Sequence, residues 1–242
     1  MSMSVQQDVA MEFVAQEQQA GQRMCGAAAL AMVYRSFGWH IAQADIWPRI
    51  ARRDDQGSWN AATYLLARDA MARSLDAIVV QASRAWETLV ETATSPWRAI
   101  LNHRYAPASP SGHFSVLLAA DDQRAVIHDP EFGPRRQLLR DQLLELWRPG
   151  ASFGEVTGYV LVAIGRAESR PEICDACGEE LPLERWCSAC SATLRFPKAV
   201  LGCTRSGCRA RRWARVFCPC CDASATEIVG FPAEFVLQES AR

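Results

Sequence analysis

An almost unbroken apolar run, Ala27 to Tyr34 (AAALAMVY), follows Cys25-Gly26 and predicts a helix over Cys25–Phe37 that stops before Gly38. Met1 to Gln18 is a polar lead-in with helical character from Asp8. A second apolar-periodic segment, Ile41 to Ile50, is interrupted by Pro48. RRDDQGS then reads as a loop, with Ser58 as N-cap of a helix from Trp59 to Arg73. Beyond Leu75 the period changes, giving a strand at Ala77–Val80, a short helix at Arg84–Glu91 and a strand at Trp97–Leu101.

The clearest hairpin joins His113–Ala119 to Arg124–Asp129, ended by Pro130. With Asp121 and Asp122 in its turn, His113 faces Pro130 and Phe114 faces Asp129, so His113 and Asp129 share one end of the hairpin. A charged helix, Arg140–Trp147, and a last strand, Gly158–Ile164, complete the first unit. Helices followed by mostly antiparallel strands give an α+β class. The expected division is a first domain over 1–165, a linker over 166–173 and a small domain over 174–242.

Composition narrows the function. At 242 residues, with 49% hydrophobic and 22% charged positions, the chain is long enough for one medium and one small globular domain. A net charge of −1 argues against wholesale electrostatic attachment to nucleic acid or anionic membrane. The polar start shows no secretory signal, and no apolar run approaches the roughly 18 residues of a membrane span. A reducing, cytoplasmic setting is therefore expected. Of ten cysteines, one is Cys25 and nine fall between 174 and 221, and in such a setting clustered pairs mean metal more often than disulfides.

A cysteine at a helix N-terminus feels the unpaired N–H groups and the positive end of the macrodipole, which favour the nucleophilic thiolate. His113 beside Asp129 supplies the base and the orienting acid of a cysteine triad. Gln19, six residues before Cys25, is placed to offer its amide N–H, with the Cys25 backbone N–H, to an oxyanion. His40, His103 and His128 read as structural or surface residues, His128 being sent to the opposite sheet face by alternation.

These residues resemble the papain-like cysteine peptidases that process the double-glycine leader peptides of bacteriocins, the peptidase C39-like family. The likeness rests on Gln19, Cys25-Gly26-Ala27-Ala28-Ala29 with Met32, Gly112-His113-Phe114, Asp129-Pro130 with Gly133, and Trp147 with Gly158-Tyr159. It covers about Gln16 to Ile164. It implies Cys25 as nucleophile, His113 as general base, Asp129 as orienting acid and Gln19 as oxyanion donor. It also implies a peptide or protein substrate with small residues, often Gly-Gly, before the cut. The chain departs from the family in Met24, where an acidic residue is frequent, and in having neither the spans nor the P-loop of the exporter that such peptidases often head.

The tail repeats one device. Cys174-x2-Cys177, nine residues and Cys187-x2-Cys190 are followed by Cys203-x4-Cys208, nine residues and Cys218-x2-Cys221. Two such turns complete a tetrahedral thiolate site, so a double zinc ribbon with two structural zinc ions is expected. The equal gaps favour sequential pairing, Cys174, Cys177, Cys187 and Cys190 against Cys203, Cys208, Cys218 and Cys221, with interleaved pairing as the alternative and Cys220 spare. Five arginines between Cys203 and Cys221 read as a solvated face offsetting the thiolates, favoured over a nucleic-acid patch. The ribbons would recruit substrate or a protein partner. The rival readings are an acyltransferase or amidase with the same triad, and a catalytically silent adaptor binding through its ribbons.

Overall fold

The computed structural model describes residues 11–19, 22–53, 57–149, 158–167 and 170–226. Asp8 lies outside them, and residues 11–17 are irregular rather than helical. The lead-in is nevertheless tied down: Gln16 N–H donates to Pro130 O at 3.0 Å, and the Gln43 side chain donates to Ala15 O and accepts from Glu17 N–H. Strands β1 (Gln18–Gln19) and β2 (Gln22–Arg23) then pair and feed helix α1 (Cys25–Ser36).

Helix α1 is apolar on all sides, and every residue from Ala27 to Tyr34 is buried, as such a pattern requires. Helix α2 (Gln43–Ile50) runs on past Pro48, so the expected interruption is absent. The helix expected from Trp59 is also corrected. Strand β3 (Ala51–Arg53) pairs with β4 (Trp59–Ala61), and β4 also lies parallel to β2, which holds Trp59–Ala61 extended; α3 (Thr63–Ala72) starts only after Ala62, without a Ser58 cap. Asp69 of α3 is buried and accepts from Tyr34 Oη at 2.6 Å and from Arg73 Nε at 2.9 Å, and pairs with Arg49. One carboxylate thus locks α1, α2 and α3 together.

Next come β5 (Asp76–Ala82), α4 (Ala85–Ala93), β6 (Arg98–Arg104), β7 (Gly112–Ala120), β8 (Arg124–Asp129), β9 (Gly133–Leu139), α5 (Arg140–Trp147) and β10 (Val160–Gly165). In the tail follow β11 (Glu172–Ile173), β12 (Glu180–Leu181), β13 (Glu184–Trp186), β14 (Thr193–Arg195), α6 (Lys198–Leu201), β15 (Trp213–Phe217) and β16 (Ser224–Ala225). The main sheet has eight strands in the order β16-β15-β5-β10-β6-β7-β8-β9. All its pairings are antiparallel.

Alternation splits the core into two layers. Val79, Ile100, Val116 and Val162 pack beneath α1, α2 and α3. Val80, Leu101, Ile127 and Leu161 face α4, α5 and the tail. Sequence position 165 closes β10, but the sheet and core run on across it: β15 pairs with β5, and Trp213 and Val216 share one cluster with Ile78 and Trp86. No helix among the described residues is long and apolar enough to cross a membrane.

Candidate active site and cysteine clusters

Helix α1 presents Cys25 in its first turn, with no acidic residue there and no side chain capping its N-terminus. The N–H groups of that turn are therefore left without a competing side-chain carboxylate near the thiol. Gly26 is dictated by packing, since a Cβ there would stand 2.8 Å from Ala61 Cβ and 3.3 Å from Phe114 Cδ2. The close approach lets α1 press against β4 and β7 at the level of the thiol.

His113 opens β7 and is buried. Its Nε2 lies 2.7 Å from Asp129 Oδ1, which leaves Nδ1 free to face Cys25, the other side chain that raises the imidazole pKa. Burial alone would lower the imidazole pKa, but the hydrogen bond to Asp129, then the Cys25 side chain, outweigh it and lift it to about 9. Asp129 is fully buried at the end of β8. Burial raises its carboxyl, yet the His113 hydrogen bond and charge, with Phe132 and Glu131 N–H, bring it down to about 2. Those two N–H groups donate to Oδ1 at 3.2 and 3.1 Å, and Arg136 donates to Oδ2 at 3.0 Å.

The hairpin register differs from expectation by one step. Asp121 Oδ1 accepts from Gln123 and Arg124 N–H, Ala120 pairs with Ala125, and a bulge at Leu118 brings Val116 opposite His128. Continued, that ladder sets Asp129 across from Ser115 rather than Phe114. A diagonal placement still brings the imidazole and carboxylate together, because both side chains lean along the strand ends.

His103 is buried, its Nδ1–H donating to Arg104 O at 2.8 Å and its Nε2 accepting from Ser115 Oγ at 2.9 Å; burial lowers its pKa to about 4. His128 donates from Nε2 to Met11 O and accepts Arg135 N–H. His40 is exposed. The Gln19 backbone lies in β1, across from Gln22, and its side chain lies outside the described residues. Sequence reasoning missed the clamp on Asp129. Its signal was present in Asp129-Pro130-Glu131-Phe132-Gly133, an aspartate opening a turn, where the side chain accepts the next free N–H groups. It also missed Tyr105 and Phe132, whose rings stand edge-on to His113 at 5.6 and 6.2 Å between centroids.

In the tail the eight predicted cysteines do converge, but in the interleaved pairing. Cys174 and Cys177 meet Cys203 and Cys208, while Cys187 and Cys190 meet Cys218 and Cys221, with the sulfurs of each set within 4.8 Å of one another. The sequential pairing is therefore corrected. Each nine-residue spacer carries extended backbone (β12 and β13 in the first, β15 in the second), which takes the next turn away from the last. Two equal repeats then lie side by side, matching first turn with third and second with fourth.

Three of the four turns share one geometry. The first cysteine's carbonyl accepts from Gly178, Ser191 or Asp222 N–H, and each of those residues has positive φ. Cys220 belongs to neither set. Two of the five arginines are spent internally: Arg211 lies 3.6 Å from the Trp213 ring centroid and donates to Thr204 O, and Arg212 donates to Lys198 O and Ala199 O.

No curated protein matches this sequence. Solved structures with similar folds include the peptidase domain of Streptococcus ComA, a bifunctional ABC transporter of a quorum-sensing pathway (15% identity, 65% of this chain and 99% of that one, TM-score 0.48). A double glycine motif protease from an AMS/PCAT transporter, in complex with the leader peptide, gives 22% identity over 64% of this chain and 91% of that one, with a TM-score of 0.44. A Bacillus anthracis protein described as C39-like peptidase gives 13% identity over 66% and 96%, with a TM-score of 0.51, and it carries the likeness in fold. The model of the peptidase C39 family matches residues 14–152, from the lead-in through α5. That match takes in more than half of the sequence, so the chain belongs to the peptidase C39 family and is a cysteine peptidase, a hydrolase.

Proposed function

We propose that the enzyme cleaves peptides after small residues, of Gly-Gly type, through Cys25, His113 and Asp129. The observation that carries this reading is His113 Nε2 held 2.7 Å from the Asp129 carboxylate, with the Cys25 side chain among the groups that raise the same imidazole. His113 takes the thiol proton at Nδ1, and the sulfur attacks the peptide carbonyl. The oxyanion is received by the Cys25 N–H and the Gln19 amide, and the imidazolium gives its proton to the leaving amine. Water, activated by the same imidazole, then releases the acyl group. The cleft at Cys25 has a volume of only about 160 Å³, with Arg23, Asn60 and Phe114 among its walls, and so narrow a space favours residues without large side chains beside the cut. Peptides carrying Gly-Gly should be cut after the second glycine, read by mass spectrometry, and Leu-Leu in its place should not. Equal cutting of both would sink the specificity.

The pH profile follows from the imidazolium. His113 must carry a proton beside the thiolate, so kcat/KM should fall as pH rises through about 9. Stability follows the same limb: the raised pKa contributes fully below the unfolded value and is lost above about 9. Asp129→Asn removes the largest raising influence, so its alkaline limb should move to lower pH. An unmoved limb would reject the ion pair.

The two cysteine sets fit zinc. Opposed sulfurs stand 3.8 and 3.7 Å apart in one set and 3.7 and 3.5 Å in the other. Four sulfurs at about 2.3 Å from a tetrahedral ion lie about 3.8 Å from each other, whereas a disulfide needs about 2 Å. Zinc bound there would neutralise converging thiolates and cross-link the turns, a structural role. Two zinc ions per chain are expected, with Cys220→Ser keeping both. The double variant Cys174→Ser/Cys208→Ser should lose one ion, where sequential pairing would lose both. Metal analysis of the purified variants decides.

A further inference from the structure

The cleft at Cys25 does not end beside the thiol. It shares Ala62, Thr63 and Asn102 with a second cavity of about 210 Å³, whose walls include Tyr64, Val160 and Phe217. The floor is one register row of the sheet: Phe114 pairs with Asn102, and Asn102 with Val160, while Phe217 pairs with Val79 at the next level. Phe217 immediately precedes Cys218, a ligand of the second cysteine set, so this wall belongs to the tail rather than to the C39-matched segment.

Asn102 joins the two cavities. It is 8% exposed, and its Nδ2 is spent on Thr63 Oγ1 at 2.8 Å. Its Oδ1 is buried without a hydrogen-bond partner. A buried acceptor left open at the base of a cleft is a place for an incoming N–H.

Direction follows from chemistry. The leaving nitrogen must lie beside His113 on β7, so the residues before the cut run the opposite way, over β6 and β10 towards β5 and β15. Strand spacing of about 4.8 Å puts β10 and β5 roughly 10 and 14 Å from β7, and an extended peptide advances about 3.3 Å per residue. The second cavity therefore meets the third or fourth residue before the cut.

We infer that the cysteine-rich tail completes the substrate cleft, Asn102 Oδ1 accepting a substrate backbone N–H and Phe217 closing a subsite for an apolar side chain three or four residues before the cut. This rests on the peptidase reading for its direction. Among the lining residues Arg52 and Asp222 carry opposite charges, so neither sign of charged side chain is selected, while Val79, Val160 and Phe217 offer apolar surface to a side chain.

The test uses the full-length Cys25→Ala protein, which needs no cleavage. Fluorescent peptides of the form Xaa-Xaa-Gly-Gly with a short extension are measured by anisotropy, and a benzophenone residue is then placed at the third or fourth position before the cut. Leucine there should bind about tenfold more tightly than aspartate. Benzophenone should cross-link to residues 217–222, located by mass spectrometry. Adding Phe217→Ala should erase the leucine preference and Phe217→Leu should keep it, while Asn102→Ala should weaken leucine and aspartate peptides alike. Equal affinity for both peptides, or cross-links confined to residues before 165, overturns the inference. Selective binding here, with no Gly-Gly peptide cut by the native protein, would instead remove the proposed cleavage specificity and leave the subsite standing.

Discussion

Cys25→Ala is expected to abolish turnover, a loss of at least about 10⁴-fold in kcat, and Asp129→Asn to cost about 10²- to 10⁴-fold. The first follows because no other thiol among the described residues touches His113. The second follows from the donors around Asp129. Its Oδ1 accepts His113 Nε2–H and the Glu131 and Phe132 N–H groups, and its Oδ2 accepts from Arg136. An asparagine NH₂ in either position meets a donor. If it displaces the Nε2 proton, the ring takes the Nδ1–H tautomer and cannot accept the Cys25 proton. If it turns towards Arg136, two donors collide in a buried site. Steady-state kinetics with a Gly-Gly peptide, alongside the rate of Cys25 alkylation, measures both effects. A Cys25→Ala protein that still turns over, or an Asp129→Asn protein within a few-fold of the parent, would refute the triad.

What was legible in the sequence was local. The apolar run after Cys25 fixes α1, and the His113 and Asp129 segments fix β7 and β8, because alternation and a turn signal suffice there. The charged helix 140–147 appears where its pattern placed it. Long-range pairing decided the rest. Trp59–Ala61 is helix-compatible by composition, yet two neighbouring strands claim it. β9 was overlooked because its Pro134-Arg135-Arg136-Gln137 core is polar, as an edge strand with one face in solvent can be. Asn102 looked like an ordinary strand residue, and only the arrangement of Thr63 and the neighbouring strands exposes its unspent oxygen. The cysteine count announced two sites, but identical spacers fit either pairing, and the choice lies in where extended backbone carries each turn.

Metal removal is expected to bring down the peptidase sheet, not the tail alone. From a boundary near 165 one would expect a chelator to unfold residues 174–226 and spare the rest. The core argues otherwise. Leu194, Phe196, Val200, Leu201, Trp213 and Val216 are buried in the same cluster as Ile78, Trp86 and Leu89, and β15 covers the edge of β5. At about 1.5–3 kcal/mol per buried side chain, these six contribute on the order of 9–18 kcal/mol of gross burial free energy, so losing even part of it matters to a domain whose net stability, after chain entropy, is about 5–15 kcal/mol. Under the proposed zinc reading, thiolate ligation would order the turns that present them. The two sites should also differ. Cys190 belongs to the set tied into this shared core, whereas Cys177 belongs to a set with its own small cluster around Leu181. Cys190→Ser should therefore lower the melting temperature of the whole chain and its activity more than Cys177→Ser, although each loses one ion. Calorimetry with and without a chelator, followed by the same scan on the two variants, makes the comparison. An unchanged peptidase melt after metal loss would show that the shared sheet stands without its zinc-ordered edge.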